Sequence, residues 1–151
     1  MLMNDDRSIS EIEQEIIEDF ALFDTWEEKY EYIIDLGKKL PPLEEEHKID
    51  ENRIRGCQST VWLIARYHNG KVYYKAESDA VIVKGLVSLL IRVLSGHSPS
   101  EILNSKLDFM KEIGMTTHLA QTRSNGLLAM VKQMKNYAIA YSSINPTVDK
   151  S

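Results

Sequence analysis

The chain has 151 residues, enough for one domain with its own hydrophobic core and too few for two. Hydrophobic residues make up 43% and charged residues 27%, so the chain reads as globular and not disordered. The net charge of −5 gives no support for a duplex-binding basic face, and the single cysteine excludes an internal disulfide and any Cys-rich zinc or iron–sulfur site built from this chain alone.

The N-terminus MLMNDDRS lacks the basic and apolar regions of a secretory signal. The longest apolar stretch, Ala80 to Leu94, is broken by Lys84, Ser88 and Arg92. It falls short of the roughly 20 apolar residues a membrane span needs. The expectation is a cytoplasmic protein with no membrane or nucleic-acid partner. Charge is uneven: residues 1–31 hold eleven acids and two bases, net −9, and the remainder is net +4. Solvated helix faces account for this pattern, and an acidic docking surface is the alternative.

Ser8-Ile9-Ser10-Glu11 has capping-box spacing, and Ile9, Ile12, Ile16 and Phe20 follow as one apolar helical stripe. Thr25 to Glu28 repeats the box and opens a second helix with Trp26, Tyr30, Ile33 and Ile34 as its stripe. Lys38-Lys39 suit its C-terminal end, and Pro41-Pro42 stops it. After a polar segment, Arg53-Ile54-Arg55 reads as a short strand leading into Gly56. Val61 to His68 is a strand, Asn69-Gly70 is a hairpin turn, and Lys71 to Ala76 is the return strand. Together these predict a three-stranded antiparallel sheet.

A helix over Ala80 to Ser95 follows, capped by Ser78 or Asp79, with Lys84, Ser88 and Arg92 as its polar stripe. Ser98-Pro99-Ser100-Glu101 starts a short helix, and Leu107 to Ile113 forms another. The last helix starts near Thr122 or Ser124 and presents Leu127, Met130, Val131, Met134, Ala138 and Tyr141 to the core. This order predicts an α+β fold, with one domain over 1–145 and a loose tail over 146–151.

Cys57 is the first candidate for chemistry. It lies between two predicted strands in Arg55-Gly56-Cys57-Gln58-Ser59. A thiol attacks as its thiolate, which nearby Arg53 and Arg55 favour. Gly56 lets the chain turn and another backbone approach, and Gln58 and Ser59 add polar groups. A lone cysteine is more often a small buried hydrophobe than a nucleophile, although a loop position favours reactivity. A cysteine hydrolase or transferase would need a histidine beside Cys57 as base. The histidines are His47, His68, His97 and His118, of which His68 and His97 read as surface residues. None has metal-ligand spacing, and there is no glycine-rich phosphate loop. Lys84 and Gly85 near the start of an apolar helix read as a snorkelling lysine and a close-packing glycine. Alternatively, Asp79 and Lys84 hold the sheet-to-helix junction near the cysteine loop. His118 and Arg123 frame a site or cap the last helix.

At these residues the sequence resembles the SufE family of sulfur acceptors for cysteine desulfurases. The likeness rests on Glu51-Asn52-Arg53-Ile54-Arg55-Gly56-Cys57-Gln58-Ser59 with Val61-Trp62, on Ser78-Asp79-Ala80 with Ile82-Val83-Lys84-Gly85-Leu86, on His118-Leu119, and on Arg123 with Asn125-Gly126-Leu127 and Ala129-Met130. Thr60 departs from the glutamine of many members. The resemblance implies an α+β fold like that of the iron–sulfur scaffold IscU, with Cys57 as persulfide carrier. A SufS-like desulfurase bearing pyridoxal phosphate would pass sulfur to Cys57 by transpersulfuration. Cys57 would hand it to a SufBCD-like scaffold, with no cofactor or metal in this chain. The resemblance implies an acceptor and activator more than a stand-alone enzyme. It gives Asp79 and Arg123 a supporting or docking role. A related branch of the family delivers sulfur to other acceptors.

Overall fold

The computed structural model describes residues 7–56, 59–114 and 121–150, the backbone alone over 121–125. Two amphipathic helices open it, α1 (Ile9–Ala21) and α2 (Trp26–Lys38). Ser8 accepts a hydrogen bond from the Glu11 amide while the Glu11 carboxylate takes that of Ser8, closing the predicted capping box. Thr25 accepts likewise from Glu28. The apolar stripe Ile9, Ile12, Ile16 and Phe20 is buried throughout. In α2 only Ile33 of the predicted stripe is fully buried, and Gly37 joins it.

Strands β1 (Val61–His68) and β2 (Lys71–Ser78) pair antiparallel from Val61↔Ser78 to His68↔Lys71. Asn69 and Gly70 both take positive φ, as the tight turn requires. Val61, Leu63, Ala65 and Tyr67 of β1, with Val72, Tyr74 and Ala76 of β2, form the buried face. The sheet is two-stranded, not three-stranded as expected from the sequence. Arg53 makes a single bridge to Trp62, because Arg53 follows a 3-10 turn (Asp50–Asn52) and the chain turns away again at Arg55-Gly56.

Helix α3 (Val81–Leu94) lies beneath the hairpin and carries much of the core: Leu86, Val87, Leu89, Leu90, Val93 and Leu94 are all buried. Short helices α4 (Pro99–Asn104) and α5 (Phe109–Glu112) lead towards α6 (Gln121–Tyr141). Leu127, Met130, Met134, Ala138 and Tyr141 of α6 face inward, and Val131 is half-buried. Two tyrosines tie α6 to the hairpin: the Tyr74 hydroxyl donates to Met134 O at 2.6 Å, and that of Tyr141 to Ala65 O at 3.2 Å. Burial of Tyr74 pushes its phenol well above the ordinary range. Tyr67 and Tyr141 stack with centroids 5.2 Å apart.

Three expectations are corrected. Neither Ser78 nor Asp79 is the N-cap of α3; Ala80 holds that position, and Ser78 Oγ accepts from its amide. His97 is buried, not at the surface, with Nε2 2.9 Å from Arg7 O. The tail expected to be loose runs beside β1, where Lys150 and Tyr67 exchange backbone hydrogen bonds and His68 meets Asp149 at 2.9 Å. An unpaired edge of β1 offers those backbone partners.

Helices α2 and α3 approach each other backbone to backbone. A Cβ added to Gly85 would lie 2.0 Å from Ile33 O, and one added to Gly37 would lie 2.7 Å from Gly85 N. Glycine here permits backbone-to-backbone approach. The Gly85→Ala variant is expected to lose about 3 kcal/mol through overpacking. That corresponds to a fall in Tm of roughly 6–12 °C, measured by thermal unfolding.

Candidate functional site

The chain from Arg53 to Thr60, called here the cysteine loop, is held at both feet. At its entry Ile54 is buried, and its amide donates to Val61 O at 2.8 Å. At its exit the Thr60 amide donates to Asp79 Oδ1 at 3.1 Å, the Asp79 amide donates to Thr60 O at 3.3 Å, and Ser78 Oγ donates to the same oxygen at 2.9 Å. Asp79 and Ser78 thus clamp the loop to the junction of β2 and α3. Between the feet, Arg55 and Gly56 are exposed, and Ser59 is half-buried.

Gly56 has φ +90°, a conformation that strains any residue with a Cβ. A Cβ there would sit 3.5 Å from Ala129 Cβ, which places α6 as a wall beside the loop. Arg53 and Arg55 flank buried Ile54 and are both exposed, in keeping with the two-residue alternation of an extended chain. A cavity of about 440 Å³ opens between Arg53, Ile54 and Arg55 on one side and Ala129, Lys132 and Gln133 on the other.

Cys57, Gln58 and His118 lie outside the described residues, as does the side chain of Arg123. The other predicted site residues divide into two groups. Arg55, Gly56, Ser59 and Asp79 belong to the loop or its clamp. Lys84 is half-buried on the first turn of α3, and its positive charge helps to lower the Glu77 pKa. Ile54, Ser78, Ala129, Lys132 and Gln133 complete the surroundings. Sequence reasoning passed over these five as site residues, Ser78 being read as a cap and Ala129 as part of the resemblance. They come from three separate elements, and no local spacing marks their meeting. The alternation Arg53-Ile54-Arg55 was the one local signal of which way the arginines face.

Glu77 anchors the segment that precedes the loop. It accepts from the Leu43 amide at 2.9 Å and pairs with Lys48 Nζ at 2.8 Å. The Lys48 hydrogen bond, then the Leu43 amide, hold its carboxyl below the ordinary 4.5. Among the described residues there is no group of three or more His, Cys, Asp or Glu placed to hold a metal ion, and no helix is long and apolar enough to cross a membrane.

Residues 14–138 match the family model SufE, the Fe–S metabolism associated domain. The chain belongs to the SufE family. It is 40% identical over 129 residues to an uncharacterized SufE-like protein of Rhizobium meliloti, covering 82% of this chain and 92% of that relative. It is 41% identical over 126 residues to an uncharacterized SufE-like protein of Synechocystis, covering 83% of this chain and 79% of the relative. Its fold is similar to that in the solution structure of a hypothetical protein from Thermus thermophilus, with a TM-score of 0.73 and 22% identity, covering 87% of this chain and 96% of that one. The α+β architecture and the association with Fe–S metabolism follow from these matches.

Two outcomes test the loop's supports. Asp79→Ala is expected to cost about 1 kcal/mol and to accelerate amide exchange at Thr60 more than at the β1–β2 ladder, as read by NMR. Because the folded pKa of Glu77 is depressed, its contribution to stability is full above the unfolded carboxylate value and is lost as pH falls through the lowered folded value. Glu77→Gln is expected to flatten that part of the acid limb of a stability-versus-pH curve.

Proposed function

We propose that Cys57 accepts a single sulfur atom as a persulfide from a cysteine desulfurase and passes it to an iron–sulfur assembly scaffold. The observation that carries the reading is the loop that bears Cys57: pinned at Ile54 and Thr60, exposed at Arg55 and Gly56, in a chain of a family associated with Fe–S metabolism. Firm feet with an exposed stretch between them suit a carrier that must enter another protein's active site without unfolding.

The transfer conserves atoms and electrons. The Cys57 thiolate attacks the outer sulfur of the donor's persulfide. A new S–S bond forms on Cys57, the donor's S–S bond breaks, and the donor cysteine leaves as a thiolate. The sulfane sulfur moves without any change in its protonation or oxidation state, and no external oxidant or reductant is needed. Delivery repeats the exchange with the acceptor's nucleophile. Pyridoxal phosphate belongs to the donor, where it generates the persulfide from free cysteine. This chain supplies the thiol and the surface on which the two proteins meet, and it works in the cytoplasm.

The hydrolase reading draws no support from the described histidines. His97 is buried with Nε2 against Arg7 O, His68 faces Asp149, and His47 lies beside Glu44 and Glu46. The choice between a SufBCD-like scaffold and other sulfur acceptors rests with the partner that receives the atom.

Incubation with a pyridoxal-phosphate desulfurase and cysteine is expected to add the mass of one sulfur atom at Cys57. Cys57→Ser is expected to abolish that gain while Tm stays within roughly 2 °C of the parent. Sulfur uptake by the serine variant would overturn the mechanism.

A further inference from the structure

We infer that the groove between the cysteine loop and α6 is a cationic seat for an acidic segment of the sulfur donor. The inference rests on the sulfur-carrier reading and adds the chemistry of the surface that meets the carrier.

Three side chains define the seat: Arg53, Arg55 and Lys132, which line one cavity and are all exposed. None of the three forms an ion pair or a side-chain hydrogen bond among the described residues. Several cations elsewhere are already engaged. Lys48 pairs with Glu45 and Glu77, Lys75 with Glu44, and Arg92 with Glu15 and Asp19, while Lys135 donates to Ser105 O. Among the described residues no ion pair takes up the groove cations.

Two carboxylates, Asp50 and Glu51, also line the cavity, and their position decides its polarity. Gly56, the residue before Cys57 in the chain, packs beside Ala129, which lines the cavity. Arg55 directly precedes that contact, and Lys132 follows it by one helical turn. Asp50 and Glu51 come before Arg53 in the chain. Along the chain the two arginines are therefore nearer Cys57 than the two carboxylates are.

The transfer step gives that polarity a purpose. An attacking thiolate and an ionised persulfide are both anions, so their approach is opposed by like charge. Cations beside the meeting point offset the repulsion. They also attract carboxylates on the donor's rim, which speeds encounter and fixes orientation. Arginine is suited to this work, because its planar fork grips a carboxylate through two hydrogen bonds.

The test is the charge-reversed variant Arg53→Glu/Arg55→Glu/Lys132→Glu, assayed as sulfur acceptor with the source organism's own pyridoxal-phosphate desulfurase. Its control is Lys106→Glu/Lys111→Glu/Lys150→Glu, which makes the same change in net charge away from the groove. For the groove variant, KM for this protein is expected to rise at least roughly tenfold with kcat little changed, and kcat/KM is expected to fall with added salt in the parent but much less in the groove variant. The control variant is expected to keep the parent's KM. Equal effects of the two variants, an unchanged KM in the groove variant, or a loss confined to kcat would each overturn the inference. Mass measurement of sulfur on Cys57 in the parent protein separates the two readings: sulfur on the parent with an unaffected groove variant leaves the carrier standing and removes the seat, whereas a parent that takes up no sulfur removes the carrier itself.

Discussion

Helices α2 and α3 touch backbone to backbone at Gly37 and Gly85, and that contact sets where α3 lies. A side chain at either position would force the helices apart against a core that does not compress. With α3 seated, its first turn falls beside the end of β2, and the junction brings Ser78 and Asp79 to Thr60. The foot of the cysteine loop is therefore fixed by a helix contact on the far side of α3. A packing constraint between two glycines is carried through one helix to the place where chemistry is proposed.

The loop owes its form to a division of labour along its few residues. Ile54 is drawn into the core, which pulls one end down, and Thr60 is tied at the other by a carboxylate and a hydroxyl. Between them Gly56 takes a positive φ that breaks the extended run. The third strand is thus cut to one bridge at Arg53 and Trp62. The residues that would have lengthened the sheet instead form the wall of a groove against α6.

Electrostatics separates the molecule's surfaces. Much of the acid in α1 is engaged locally: Glu15 meets Arg7 and Arg92, and Asp19 meets Arg92 and the Tyr32 hydroxyl. Burial and the nearby Asp19 carboxylate raise the Tyr32 phenol pKa. The Lys48–Glu77 pair fastens the segment before the loop to β2. The partly exposed salt bridges of α1 add little net stability, so their main effect is on where chain segments lie and which charges remain free to meet a partner.

The sequence alone determined the elements whose cause is local. The capping box at Ser8, the buried stripe of α1, the Asn69-Gly70 turn and the alternating faces of β1 and β2 each follow from neighbours a few residues apart. Cys57 and its flanks form a contiguous run, so the candidate could be named from the sequence. Tertiary structure decided what depends on distant partners: that His97 is buried under Arg7, that the tail joins β1, that Asp79 ties Thr60 in place of capping α3, and that Lys132 stands across a groove from Arg55. Local spacing sets which way a side chain leaves its own helix or strand. What it meets there is set by how the elements pack.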